Sequence, residues 1–338
     1  MTQKNEAKTL ILTFLITLGI LGIGYWIFQI ITSNSNSPNP SQSSKTEIFA
    51  QVTSVPAGVF NYGGSTSWAP IRKEIDPIIQ AVQPNFKLRY VQHPTIPPGS
   101  GTGIMMLLDN QLAFAQTSRS ILDQEYQQAQ QKGLTLEERA VAIDGIAIGV
   151  HPQLNIPGLT ITQLQEIYTG KITNWNQIGG KNIPIQPYSR TVESGGTIQF
   201  FVDNILGGAA FGDNVEFIST TTEALRKVAD NPGGIYYASA PEMVEQCTVK
   251  PIAIGDEATG LVPPYQPPFI PLENCPAQRN KINVSAFKTG EYPITRRLFV
   301  VIKKDNQVDQ EAGQVYANFL LTDQGQDLLD KIGFVRIR

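Results

Sequence analysis

Along most of the chain, short runs rich in β-branched and aromatic residues alternate with stretches whose apolar residues recur at helical spacing. GVFNYGGS (58–65) reads as a strand entering a glycine turn, and WAPIRKEIDPIIQAVQP (68–84) as one helix with Pro70 in its first turn. KLRYVQH (87–93) predicts a strand, PTIPPGSGTG (94–103) a loop and IMMLLDNQ (104–111) a helix. LAFAQTS (112–118) and ERAVAIDGIAIGVHP (138–152) predict further strands. In LTITQLQEIYTGKITNW (159–175), Thr160 and Gln163 have capping-box spacing and Gly170 sits where the helix should stop. IQFFVDNIL (198–206) is helical in period, TRRLFVVIKK (295–304) is a long β-rich run, and QEAGQVYANFLLTDQGQDLLDKIGF (310–334) predicts amphipathic helix.

The alternation predicts an α/β fold. Two β-rich runs, Val141–Val150 and Arg297–Lys303, are long enough to leave one lobe and later return to it. They predict a two-lobed clamshell with two crossover hinge strands. Residues 56–146 with 300–338 are expected to form lobe 1, and residues 147–299 lobe 2. Such a clamshell holds its ligand in the cleft and closes by hinge motion.

Before the first strand, Leu10–Ile31 carries no charge over about the length that crosses a bilayer. Lys4 and Lys8 precede it and no Lys or Arg follows until Lys45, which places the N-terminus in the cytoplasm and the rest outside. Residues 1–33 are therefore expected to be a cytoplasmic stub and one transmembrane signal anchor, with a cleaved signal peptide as the alternative. Residues 34–55, rich in Ser, Asn and Pro, read as a linker. The binding domain is then extracytoplasmic, held at the plasma or inner membrane by a single pass.

The remaining composition narrows the chemistry. A formal net charge of -3 over 338 residues argues against a nucleic-acid surface. The two cysteines, Cys247 and Cys275, are expected to pair in an oxidising compartment. His93 and His151, the two histidines, have no metal-ligand spacing to each other or to a cysteine, and no cofactor is implied.

Four segments share one design, in which small hydroxyl residues stand beside glycines at a helix start or turn: GGSTSWAP (63–70), PGSGTGI (98–104), TSRS (117–120) and RTVESGGT (190–197). Each alone fits an ordinary capped helix or solvated turn. Together they offer neutral donors and two guanidinium groups, Arg119 and Arg190, which suits a small tetrahedral oxyanion.

With those segments in view, the chain resembles the phosphate-binding proteins of bacterial phosphate ABC importers, over nearly all of Phe60–Arg338. ITQLQEIYTGKITNWNQIGG is the most specific marker; AIDGIAIGVHP and YPITRRLFVVIK match the two crossings, and LLTDQGQDLLDKIGFVRIR is of the same kind. The resemblance implies a periplasmic-binding-protein clamshell of type 2, monomeric, that binds inorganic phosphate and serves an ABC permease. It implies that Thr66 and Ser67, Ser100 with Gly101, Ser118, Arg119, Arg190, Ser194, Gly195, Gly196 and Thr197 bind the anion, Tyr168 and Trp175 serving packing. The chain has SGGT where the family has SGT, leaving open whether Gly196 or Thr197 fills the last position. It also has Arg119 where some relatives have Asp. Asp144 then stands as either the acceptor for the proton of hydrogen phosphate or a hinge carboxylate that caps backbone or pairs with Arg119. Two other functions stay open at this point, a membrane-tethered phosphate sensor and a phosphoester hydrolase on the same site. Hydrolysis needs an activated nucleophile or metal-bound water, which the sequence does not suggest.

Overall fold

The computed structural model describes residues 47–192 and 195–338. The Leu10–Ile31 run and Ser194 lie outside the described residues. Among the described residues no helix is long and apolar enough to cross a membrane.

The described strands are β1 (Gly58–Gly64), β2 (Phe86–Tyr90), β3 (Phe114–Thr117), β4 (Leu136–Val150), β5 (Gly158–Thr160), β6 (Gln186–Ser189), β7 (Glu216–Phe217), β8 (Gly234–Ser239), β9 (Lys250–Gly255) and β10 (Thr295–Lys303). The α-helices are α1 (Ala69–Glu74), α2 (Asp76–Val82), α3 (Ser100–Leu108), α4 (Asp123–Gln131), α5 (Ile161–Tyr168), α6 (Gly196–Asn204), α7 (Thr221–Asp230), α8 (Ala240–Met243), α9 (Val284–Thr289), α10 (Val308–Leu321) and α11 (Asp323–Lys331). Neighbouring strands run in the order β2-β1-β3-β10-β4-β8-β6-β7, with β9 also on β4 and β5 on β9. The β1–β2, β1–β3, β6–β8 and β5–β9 pairs are parallel, whereas β10 runs antiparallel to both β3 and β4.

The two lobes are joined through β4. Its first part, Leu136–Gly145, pairs with β10, and its last part, Ile146–Val150, pairs with β8. Val141 and Ala142 belong to one buried core with Phe60, Phe86, Phe114, Leu298, Tyr316 and Phe334. Ile146 and Ile148 belong to another, with Leu164, Trp175, Phe201, Ile235, Tyr237 and Ile294. One strand thus carries apolar residues into both cores, each fully buried side chain contributing about 1.5 to 3 kcal/mol of transfer free energy. The expectation of an α/β, two-lobed chain with two crossing strands is met. Cys247 and Cys275 are disulfide-bonded in the second lobe.

Local signals account for several elements. Thr160 Oγ1 accepts from the Gln163 amide and Gln163 Oε1 from the Thr160 amide, a reciprocal cap on α5, and Gly170 just beyond it has φ of 80°. Trp175 and Tyr168 are fully buried and donate to backbone carbonyls, in keeping with packing roles. Three helix expectations are corrected. The helix over 68–84 is two, α1 and α2, because Pro77 cannot donate to the turn before it. The one over 310–334 is α10 and α11, because Thr322 leaves helical geometry and its hydroxyl caps α11 at the Gly325 amide, 3.0 Å away. The one over 104–111 begins earlier, at Ser100, so the glycine-rich GSGTG is partly helical.

Candidate functional site

The seat is built where β1, α3, the end of β3 and the start of α6 meet between the lobes. β1 ends at Gly64, whose φ of 123° and whose closeness to the Gln116 carbonyl, 2.2 Å from where a Cβ would lie, leave room for glycine alone. The chain then turns through Ser65, Thr66 and Ser67 into α1, with Ser65 capping that turn at the Ser67 amide. Behind it, Arg72 Nη1 donates to the Ser65 carbonyl at 3.2 Å and to Gln116 Oε1 at 2.8 Å. Gln116 Nε2 in turn donates to the Tyr316 hydroxyl at 2.9 Å, and the Tyr316 and Tyr62 hydroxyls donate to Asp76. Burial pushes the Asp76 carboxyl up to about 6, against the pull of those two hydroxyls.

On that support, hydroxyl groups converge. Ser118 Oγ lies 2.9 Å from Ser65 Oγ and 3.4 Å from Ser100 Oγ, and the Ser118 amide donates to Ser100 Oγ at 3.1 Å. Ser65, Ser67, Ser100 and Ser118 are all buried. From the other lobe, Thr197 Oγ1 reaches Ser67 Oγ at 3.2 Å, and Arg190 Nη1 donates to Thr66 Oγ1 at 3.4 Å. Gly196 comes closer still. A Cβ there would lie 2.4 Å from Ser100 Oγ and 2.6 Å from Ser118 Oγ, so bare backbone is needed for the lobes to meet. The SGGT departure is accommodated by both residues: Gly196 supplies the close approach and Thr197 the hydroxyl.

Arg190 is buried, and its Nε has no hydrogen-bond partner among the described residues. A second buried guanidinium, that of Arg296 on β10, donates through Nη2 to Ser67 Oγ at 2.7 Å. Its Nε and Nη2 also donate to Asp144 Oδ2, at 3.1 and 2.9 Å. Asp144 Oδ1 accepts from Ser239 Oγ at 2.6 Å, and its carboxylate also takes the Ala240 amide. Burial raises the Asp144 carboxyl above the ordinary range, and Arg296 and Ser239 oppose that.

Two sequence expectations change here. Asp144 pairs with Arg296, not Arg119, and its oxygens are committed to Arg296, Ser239 and Ala240. Arg119 stands apart from Asp144: its Nη1 and Nη2 hold Glu125 at 2.9 and 2.8 Å, and Nη1 also donates to the Ser120 carbonyl. A Cβ on Gly101 would lie 3.5 Å from that guanidinium, which puts Gly101 beside the Arg119–Glu125 pair rather than among the hydroxyls. Gly195 approaches Gly99 across the cleft, 3.6 Å separating the Gly99 Cα from a Cβ built on Gly195. Ser65 and Arg296 were not among the expected site residues. Ser65 lies in a quoted motif. Arg296 carries a signal too: with Leu298 and Val300 it falls on the alternating buried positions of β10, where a charge needs a partner.

Hydroxyls and a guanidinium group from both lobes thus converge on one point. The sequence profile described as a PBP superfamily domain matches residues 41–324. The chain belongs to the PBP superfamily. Within it, the chain is 24% identical over 287 residues to the phosphate-binding protein PstS of Borreliella burgdorferi, covering 83% of this chain and 90% of that one. It is 25% identical over 244 residues to PstS of Staphylococcus saprophyticus, covering 71% of this chain and 69% of that one. Among solved structures, a putative phosphate ABC transporter substrate-binding protein from Clostridium perfringens, with bound phosphate, superimposes with a TM-score of 0.67 at 24% identity, covering 83% of this chain and all of that one. An ABC-type phosphate transport receptor from Vibrio cholerae gives 0.60 at 22% identity, covering 82% and 99%. These two likenesses establish the shared PBP fold.

Proposed function

We propose that this protein captures inorganic phosphate outside the cytoplasmic membrane and presents it to an ABC permease, as a monomeric substrate-binding component. The observation that carries this reading is the closure of the two lobes on one point, where Ser65, Ser67, Ser100, Ser118 and Thr197 bring hydroxyls and Arg190 a buried guanidinium. A tetrahedral oxyanion takes donors from all sides, and many neutral donors with few full charges hold it without an excess of buried charge. That the two relatives are phosphate-binding proteins PstS supports the same ligand.

In this reading the ligands are Thr66, Ser67, Ser100, Ser118, Arg190, Gly195, Gly196 and Thr197. Ser194 joins them from the sequence alone, and Arg119 with Gly101 lies at the rim. The two lobes are residues 56–146 with 300–338 and residues 147–299, except that Phe49 and Leu298 pack in the first core and Ile146 in the second. The hydroxyls bond to one another and to guanidinium groups, a set of donors that suits holding an oxyanion. Residues 10–31 anchor the domain in the membrane, and the Ser/Asn/Pro-rich residues after them tether it; the end of the expected 34–55 linker is corrected, since Phe49 is buried in the first core and the Phe49 amide donates to Gln324 Oε1 at 2.8 Å. Calorimetry of the purified full-length protein with phosphate, sulfate and a chromogenic phosphoester tests the function: saturable phosphate binding without turnover is expected, and no phosphate binding overturns it. A mature N-terminus mapped beyond Ile31 by peptide mass would overturn the anchor.

A further inference from the structure

We infer that Arg296 is a second guanidinium ligand of the bound oxyanion, and that Asp144 is the positioning residue that holds it there. The inference rests on the phosphate reading above and adds to it a residue that no motif of the seat contains.

The argument begins with register. Arg296 and Asp144 are direct cross-strand partners in the antiparallel β10–β4 ladder, so their side chains leave the sheet side by side on one face. Arg297, the next residue, is exposed, as alternation along a strand requires. Asp144 therefore meets one guanidinium edge, the one formed by Nε and Nη2, and both groups donate to Oδ2. That leaves the end-on edge, formed by Nη1 and Nη2. Nη2 reaches Ser67 Oγ, a hydroxyl of the seat that is also bonded to Thr197 of the other lobe. Nη1, on the same edge, is buried and has no hydrogen-bond partner among the described residues.

A buried, charged donor left unmatched carries a full desolvation penalty, which a chain retains where a ligand supplies the partner. A purely structural ion pair would not need this geometry, because a buried pair is readily replaced by apolar residues of similar volume at little cost in stability. The seat holds two such arginines. Arg190 has an unmatched Nε and touches Thr66, while Arg296 has an unmatched Nη1 and touches Ser67, the adjacent residue. Two cations approach neighbouring hydroxyls from different elements, and Asp144 offsets one charge. One net positive charge is thus left for the anion, and Glu242, whose carboxyl burial pushes up to about 7, is the further titratable group that faces Arg296, Arg190 and Asp144.

Asp144 acts through Arg296. Both of its oxygens are already taken, by Arg296 on one side and by Ser239 and Ala240 of the second lobe on the other. The carboxylate thereby ties the start of α8 to the arginine that reaches Ser67 in the first lobe, across the strands that cross between lobes.

The test uses full-length protein in four forms: wild type, Arg190→Ala, Arg296→Lys, and the double variant Arg296→Gln with Asp144→Asn. The double variant replaces a charged pair by a neutral amide pair and avoids stranding a buried carboxylate. Phosphate affinity is measured by calorimetry at about pH 5.5, where phosphate is mainly the monoanion, and about pH 8, where it is mainly the dianion. The double variant should bind phosphate about ten- to a hundredfold more weakly, with the larger loss at the higher pH. Arg296→Lys, which keeps the charge but loses the forked edge, should fall between it and wild type. Wild-type affinity in the double variant, or a loss equal at both pH values while that of Arg190→Ala grows with pH, would overturn the role of Arg296 alone. No binding by wild type would overturn the phosphate reading and this inference with it.

Discussion

Ser67 and Thr197 join hydroxyls at 3.2 Å across the cleft, one from each lobe. The contact couples closure to the seat, because the same Ser67 hydroxyl also takes a hydrogen bond from Arg296 at 2.7 Å. Beside it, Gly196 has no space for a side chain against Ser100 and Ser118. Gly196→Ala should therefore hold the lobes apart without disturbing either core. Overpacking of roughly 1 to 3 kcal/mol predicts a loss of about five- to a hundredfold in phosphate affinity with little change in melting temperature. Calorimetry and thermal melts on the same samples check this; an unchanged affinity would mean that the lobes close elsewhere.

Arg190→Ala should remove a buried, charge-assisted contact worth roughly 1.5 to 3 kcal/mol to the anion, a loss of about ten- to a hundredfold in affinity. Thr66→Val, which keeps the shape but removes the hydroxyl that Arg190 touches, should cost less, about tenfold or under. The order of the two losses, read from titrations under one set of conditions, is the diagnostic quantity.

The ligand-free protein should be more stable in mild acid than at neutral pH. Burial raises Asp76 from its ordinary 3.8 to about 6 and Glu242 from 4.5 to about 7. A carboxyl raised on folding contributes stability that is full below its unfolded value and is lost as pH rises through its folded value. For Asp76 that window runs from about 4 to 6, and a shift of that size corresponds to roughly 2 to 3 kcal/mol. Denaturant midpoints should fall between about pH 4.5 and 7.5, and Asp76→Asn should flatten the fall even if it lowers stability at every pH. A midpoint that rises over that range would contradict the assignment.

Reducing the Cys247–Cys275 bond should lower stability by about 2 to 4 kcal/mol, since it closes a loop with a sequence separation of 28. Because both cysteines belong to the second lobe, phosphate affinity measured under native conditions should change little. Melts with and without a thiol reductant, followed by phosphate titration of the reduced protein, separate the two quantities.

Much of this fold was legible in the chain because its signals are local. The reciprocal cap of Thr160 and Gln163 involves residues three apart, and the two crossing strands announce themselves as long β-rich runs. The hydroxyl-bearing turns were legible for the same reason. Pairings set by register were not: Asp144 and Arg296 are 152 residues apart, and only the β4–β10 ladder makes them neighbours. Arg119 misled although its partner is local: Glu125, six residues on, accepts from the Leu122 amide at the start of α4 and holds the guanidinium there. The break at Thr322 was hidden by apolar periodicity that continues through it, although a hydroxyl followed by Asp and Gly is a start signal.

Because β4 enters both cores while β10, α10 and α11 return to complete the first, the order of synthesis sets the order of assembly. Residues of the second core end with Ile294 apart from Val335, whereas the first core still lacks Leu298, Tyr316, Phe319 and Phe334 at that point. On the ribosome the later-encoded lobe should thus condense first, leaving β1, β2 and β3 with an open apolar face until the last residues emerge. Nascent chains stalled shortly after Ile294 should yield a protease-resistant fragment from the 147–294 region and a first lobe still open to cleavage. The completion of that lobe is then the last event in maturation.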